Sequence, residues 1–133
     1  MYVGIDVAKA SLQVCVLTSP VQQQPFSNTK AGWQALDRYL SQWDDVWVAL
    51  EATGTYGDGL THYLFEAHYR VSVVNPARIK AYGKSQMKRH KTDAIDAHLI
   101  ADFCRTQQPI LWQPMSAEAE ELSGDSGRGF VPR

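Results

Sequence analysis

The chain has 133 residues, a net charge of −1, 44% apolar and 20% charged residues, a composition that suits one globular domain with a single core and excludes a disordered chain. No apolar run approaches the ~20 residues needed to cross a bilayer. The amino terminus enters a strand pattern carrying an acid, without a basic and then apolar leader, so no secretory signal is expected and the cytoplasm is the expected address.

The first strand pattern is Tyr2-Val3-Gly4-Ile5-Asp6-Val7. Val3, Ile5 and Val7 alternate with Tyr2, Gly4 and Asp6, so a strand buries the first set and turns the Asp6 carboxylate to the opposite face. A carboxylate there needs a cation, hydrogen bonds or a proton to offset its desolvation, and the strand itself carries no Arg. This makes Asp6 a candidate ligand, with capping of the following turn as the plainer role. Leu12 to Leu17 alternates again and completes a hairpin. A third strand is expected from Gln22 to Asn28, at a sheet edge because Pro20 and Pro25 bracket it.

Ala31 to Trp43 has Trp33, Leu36, Tyr39, Leu40 and Trp43 at helical spacing, with Asn28 or Thr29 available as the cap. Val46 to Leu50 is a continuous apolar run that ends in Glu51, the pattern of a strand covered on both faces. The glycine-rich stretch Ala52 to Gly57 follows, and then a helix over about Gly59 to Ala67. Arg70 to Val74 is a second covered strand, closed by Asn75-Pro76. Helices are expected from Ala77 and from Asp93 to Arg105. The two cysteines, Cys15 and Cys104, make neither a disulfide framework nor a zinc site. The order β-β-β-α-β-α-β-α-α corresponds to an α/β fold of ribonuclease H-like type, a mixed five-stranded sheet with helices on both faces.

Four carboxylates then become a candidate metal site. Glu51 falls at the carboxyl end of a parallel strand, where ligands collect in open α/β sheets, and it meets Asp6 if the two strands are neighbours. Asp93 and Asp96 are three apart on the last expected helix. At about 100° per residue both fall within the arc of Ile95, Ala97, Leu99, Ile100, Phe103 and Cys104, whereas Asp102 lies at its far margin beside His98 and Arg105. An acid pair in a first turn can merely complement the helix dipole, but a pair facing the sheet points to ligation. Four such acids suit Mg²⁺ or Mn²⁺, and two ions clamp the attacking and leaving oxygens of a phosphodiester. Arg78, Lys80, Lys84, Lys88, Arg89 and Lys91 form a run without an acid, an expected contact for nucleic-acid phosphates rather than a merely solvated face.

Gly4-Ile5-Asp6-Val7-Ala8-Lys9, Leu50-Glu51-Ala52-Thr53-Gly54-Thr55-Tyr56, Val74-Asn75-Pro76 and Lys91-Thr92-Asp93-Ala94-Ile95-Asp96-Ala97 together resemble the amino-terminal domain of the DEDD-class insertion-sequence transposases, a family that includes the Piv-type DNA invertases. The resemblance covers Met1 to about Ser116. It implies a RuvC-like catalytic domain, similar to Holliday-junction resolvases, with Asp6, Glu51, Asp93 and Asp96 as the catalytic and metal-binding acids. It also implies DNA as the substrate and Lys9 and the basic run as nucleic-acid contacts. For the full-length protein it implies a guide RNA in some members, a homo-oligomer, and a second domain with a catalytic serine in a bacterial or archaeal host. That second domain is not expected within these residues. Residues 1–115 are expected to form the catalytic domain and Ser116 to Leu122 to begin a truncated linker helix. Ser123 to Arg133, ending Phe-Val-Pro-Arg, resembles an expression-tag remnant. Two rival readings are an actin-like or sugar-kinase ATPase fragment, which normally has a glycine near Ala8 and a much longer chain, and a non-catalytic nucleic-acid-binding module whose acids are structural.

Overall fold

A computed structural model describes residues 1–52, 54–86 and 95–114. Its elements run β1 (Tyr2–Val7), β2 (Ser11–Val16), β3 (Gln22–Ser27), α1 (Lys30–Leu40), β4 (Trp47–Glu51), α2 (Asp58–Glu66), β5 (Arg70–Val74), α3 (Pro76–Ser85) and α4 (Ala97–Gln107). The strands form one sheet in the order β3-β2-β1-β4-β5. β1 pairs antiparallel with β2, and β2 with β3, while β4 and β5 run parallel to β1. This is the expected mixed sheet of a ribonuclease H-like α/β domain.

Alternation in the strands sorts the side chains onto two unlike faces. Val3, Ile5, Leu12, Val14, Val16, Val48, Leu50 and Val71 meet Leu36 and Leu40 of α1 and Leu60 and Leu64 of α2 in the main core. On the other face Trp47, Ala49 and Val74 pack against Ile79 of α3 and against Leu99, Ile100, Phe103 and Cys104 of α4. A smaller cluster of Cys15, Ala97 and Ala101 adjoins them. Gly4 belongs to this second face, where a Cβ would overlap the Ala97 carbonyl and the Ala101 backbone. Helix α4 therefore lies almost directly on β1. It runs back along the strand from Ala97 to its far end, where Gln108 donates to the Tyr2 hydroxyl at 2.8 Å.

Two element boundaries differ from the expectation by more than two residues. α1 stops at Leu40, with Ser41 as its C-cap, although the apolar spacing continues to Trp43. Helix α4 begins at Ala97 rather than Asp93, because Asp96 adopts an extended backbone (φ −132°, ψ 173°) and its side chain accepts from Leu99 N at 2.8 Å. Asp96 is thus the N-cap of α4 and not an interior helical position. The reasoning that placed Asp93 and Asp96 on one helical face does not hold for Asp96; an aspartate just before an apolar period is a helix start signal, worth about 1 kcal/mol as a cap. Asp93 itself, Thr53, Lys88, Arg89, Lys91 and the segment 115–133 lie outside the described residues.

Candidate metal and nucleic-acid site

β1, β4 and β5 are parallel, so their carboxyl ends share one edge of the sheet. The β1–β4 ladder ends with Ile5 beside Leu50, and the next residue on each strand is an acid, Asp6 on β1 and Glu51 on β4. Neighbouring strands lie about 4.8 Å apart. Alternation places both carboxylates on the face covered by α3 and α4, and the N-cap of α4, Asp96, comes to the same edge. Sequence reasoning that joined Asp6 to Glu51 through neighbouring strands therefore matches the topology.

The electrostatics agree with this placement. Burial raises the Asp6 carboxyl above its ordinary value, and the Asp96 charge raises it further. Burial likewise raises Glu51, the Asp6 charge adds to the shift, and the Lys80 ammonium opposes it. The Cys15 thiol beneath α4 is pushed up to about 11 by burial and by the Asp96 charge. No hydrogen bond or ion pair from the described residues reaches the Asp6 or Glu51 carboxylate. Three acids that shift or are felt by one another, at an edge with one cation opposite, form a concentrated negative field.

A divalent cation fits that field by charge and by its oxygen-only donor chemistry. Among the described residues no group of three acid, histidine or cysteine side chains is arranged to hold an ion; Asp93, the fourth acid of the expected set, is not among them. Asp102 stands apart, as its helical position implied. It accepts from the Tyr82 hydroxyl and from Arg105 at 2.6 Å. Burial alone would raise its carboxyl, but these two donors outweigh that and hold it below the usual range. Its work is to fasten α3 to α4.

The described part of the basic run lies on α3. Lys80 and Lys84 are exposed and one turn apart, so they share a side of the helix. Arg78 instead stacks over the Phe103 ring, 5.3 Å from its centroid, which gives it a packing role besides any contact with phosphate. Lys9 is exposed in the β1–β2 turn at the same edge. The contribution of Asn28 escaped the sequence reading, which weighed it only as a cap. Thr29 takes that role, accepting from Gly32 N at 3.1 Å, and Asn28 bonds elsewhere. Two adjacent capping residues before one helix were the available signal, since only one of them can cap.

A family model described as a transposase, of the DEDD insertion-sequence-110 type, matches residues 3–128, a span that overlaps the carboxyl-terminal stretch expected to be a tag remnant. The pilin gene-inverting proteins of Moraxella bovis and Moraxella lacunata are each 38% identical to the chain over 127 residues, covering 92% of the chain and 39% of the relative. The chain thus spans about two fifths of the length of these curated relatives. It belongs to the DEDD transposase family.

Proposed function

We propose that this chain is the catalytic domain of a DNA-recombining enzyme in which Asp6, Glu51, Asp93 and Asp96 hold two Mg²⁺ or Mn²⁺ ions against a DNA phosphodiester. The observation that supports the reading is the β1–β4 register, which sets Asp6 and Glu51 at neighbouring strand ends with the Asp96 cap of α4 at the same edge; the raised carboxyls of Asp6 and Glu51 agree with it. When bound, such ions neutralise charge on the phosphodiester and ease its attack. The chain's own part is to keep the acids together on β1, β4 and the start of α4, and to present Lys9, Lys80 and Lys84 to flanking phosphates; Arg78, Lys88, Arg89 and Lys91 extend that basic surface.

In this reading residues 1–115 form the catalytic domain and 116–122 begin a linker helix. The family's serine belongs to a further domain, as the 39% coverage of the relatives supports. The whole protein acts in the cytoplasm as a homo-oligomer on DNA, with a guide RNA from its own element. The candidate hydroxyls near the acids have other work or other places. Ser11 is in the hairpin and Thr55 in the loop after β4, places where hydroxyls ordinarily bond the backbone; Thr53 lies outside the described residues. Residues 1–133 alone are therefore expected to nick junction DNA slowly in Mg²⁺ or Mn²⁺ and to form no covalent adduct.

The test is incubation of the purified chain with junction DNA of its parent element, with each ion and with a chelator, beside Asp6→Asn and Glu51→Gln. Loss of nicking in both variants and in the chelator is expected. Nicking that persists in Asp6→Asn would overturn the acid site, and a covalent protein–DNA adduct would overturn the assignment of the nucleophile to another domain.

A further inference from the structure

Beyond Ile5 and Leu50 the β1–β4 ladder ends; β1 stays paired with β2 through Val7 and then turns at Ala8, while β4 stays paired with β5 through Glu51 and then enters the loop of Gly54 to Gly57. Both acids stand just past the end of this ladder, where their like charges repel. One side chain spans the gap. The amide nitrogen of Asn28 donates to the Ala8 carbonyl at 2.9 Å and to the Tyr56 carbonyl at 3.0 Å, which uses both of its N–H groups. Its carbonyl oxygen accepts from Trp33 Nε1 at 2.9 Å. Because an indole N–H can only donate, that bond fixes which end of the amide faces the two loops.

The support is itself rigid. The Trp33 ring lies against Gly59, where a Cβ would collide with it, and 5.8 Å from the Tyr63 ring. The Asn28 backbone N–H donates to the Ala10 carbonyl at 3.0 Å. The main core thus holds the amide in place from below, and the amide holds both loops.

We propose that Asn28 is a positioning residue for the acid site, tying the turn after Asp6 to the loop after Glu51 so that the two carboxylates stay within reach of one cation. The role rests on the acid-site reading above. Asn28 touches neither acid; it acts on the backbone two residues beyond Asp6 and five beyond Glu51. Groups bonded directly to metal ligands change affinity by about 10–100-fold when removed; Asn28 acts at one remove, which sets the expectation at the lower end of that range.

The experiment compares Mn²⁺ binding by the full 133-residue chain with that of Asn28→Ala, reading free Mn²⁺ by electron paramagnetic resonance well below the melting temperature of each protein. Asn28→Ala is expected to bind about tenfold more weakly, with the amide resonances of Ala8 to Ala10 and Gly54 to Gly57 broadened together and those of Ala77 and Arg78 unchanged. Equal affinity in a folded Asn28→Ala overturns the proposal, even if the melting temperature falls. Should that variant not fold, Asn28→Asp serves in its place: it keeps the shape and the Trp33 bond but has no N–H to donate. Its extra negative charge would tighten Mn²⁺ binding if charge alone governed affinity, so weaker binding supports the clasp and equal or tighter binding overturns it. A parent chain that binds no Mn²⁺ overturns the acid-site reading and the positioning role with it, an outcome distinct from binding that is indifferent to Asn28.

Discussion

The two faces of the sheet solve different problems. Toward α1 and α2 the strands present large aliphatic side chains, and the helices stand off to make room for them. Toward α4 the strands present Gly4 and Cys15, the helix presents Ala97 and Ala101, and backbone comes nearly against backbone. The first face is filled for stability by apolar burial. The second face is thinned, and closeness is what delivers Asp96 at the start of α4 to the edge that carries Asp6 and Glu51. A substitution should therefore do different things on the two faces, even where the cost in stability is similar.

The largest effects test that difference directly. Ile5→Ala empties a fully buried site and is expected to cost about 4 kcal/mol, whereas Gly4→Ala inserts a methyl group into immovable backbone and is expected to cost about 3 kcal/mol. Chemical denaturation reads both. The milder Ile5→Val, at about 1 kcal/mol, should leave Mn²⁺ affinity unchanged in the folded protein, while Gly4→Ala should weaken it by displacing α4 and its cap. A Gly4→Ala protein as stable as its parent would contradict the contact between α4 and β1.

Next in size is the contrast between the acids themselves. Asp102→Ala removes the acceptor for Tyr82 and Arg105 and is expected to cost about 2 kcal/mol, without effect on Mn²⁺ binding. Folding lowers the Asp102 carboxyl, so its stabilisation is present above the ordinary carboxylate range and is lost as pH falls through the lowered value. Asp6 and Glu51 have the opposite sign. Folding raises both, so at intermediate pH the unfolded chain binds fewer protons, and their penalty is full above the raised values and vanishes below the ordinary ones. Both groups are substantially solvated, which keeps the penalty under about 1 kcal/mol. Asp6→Asn should then leave the metal-free chain as stable at pH 7 or slightly more so, and should flatten the gain seen in the parent as pH falls toward 4. Denaturant midpoints at several pH values measure this, and a marked loss of stability in Asp6→Asn would show that the carboxylate is structural. The smallest expected effect is at Lys84: Lys84→Glu should weaken nucleic-acid binding for all sequences alike and flatten its salt dependence by about one unit of slope.

The fold was largely legible because the strands carry their own periodicity. Alternation in Tyr2 to Val7 and continuous apolar runs before Glu51 and over Arg70 to Val74 marked the strands, and the parallel pairing followed from the intervening helices; that β1 is covered on both faces, with Gly4 beneath α4, its alternation did not show. The start of α4 was less legible. Its apolar period extends backward through Ile95, and periodicity has no means of marking where a helix yields to its cap; that depends on one side-chain hydrogen bond, from Leu99 N to Asp96. Asn28 was hidden for a related reason: its partners, Ala8, Tyr56 and Trp33, are distant in the sequence, and two of the three bonds go to backbone carbonyls that no residue identity announces.

The most direct test of the acid site is paramagnetic broadening by Mn²⁺ in the amide spectrum of the chain. Substoichiometric Mn²⁺ should broaden the resonances of Asp6, Val7, Glu51, Ala52, Asp96 and Ala97 most strongly, spare those around Asp44 and Asp45 at the other end of β4, and lose this pattern in Asp6→Asn. Broadening centred on an unrelated acid pair such as Asp44 and Asp45, or a pattern unchanged in Asp6→Asn, would contradict the convergence of these carboxylates on one cation.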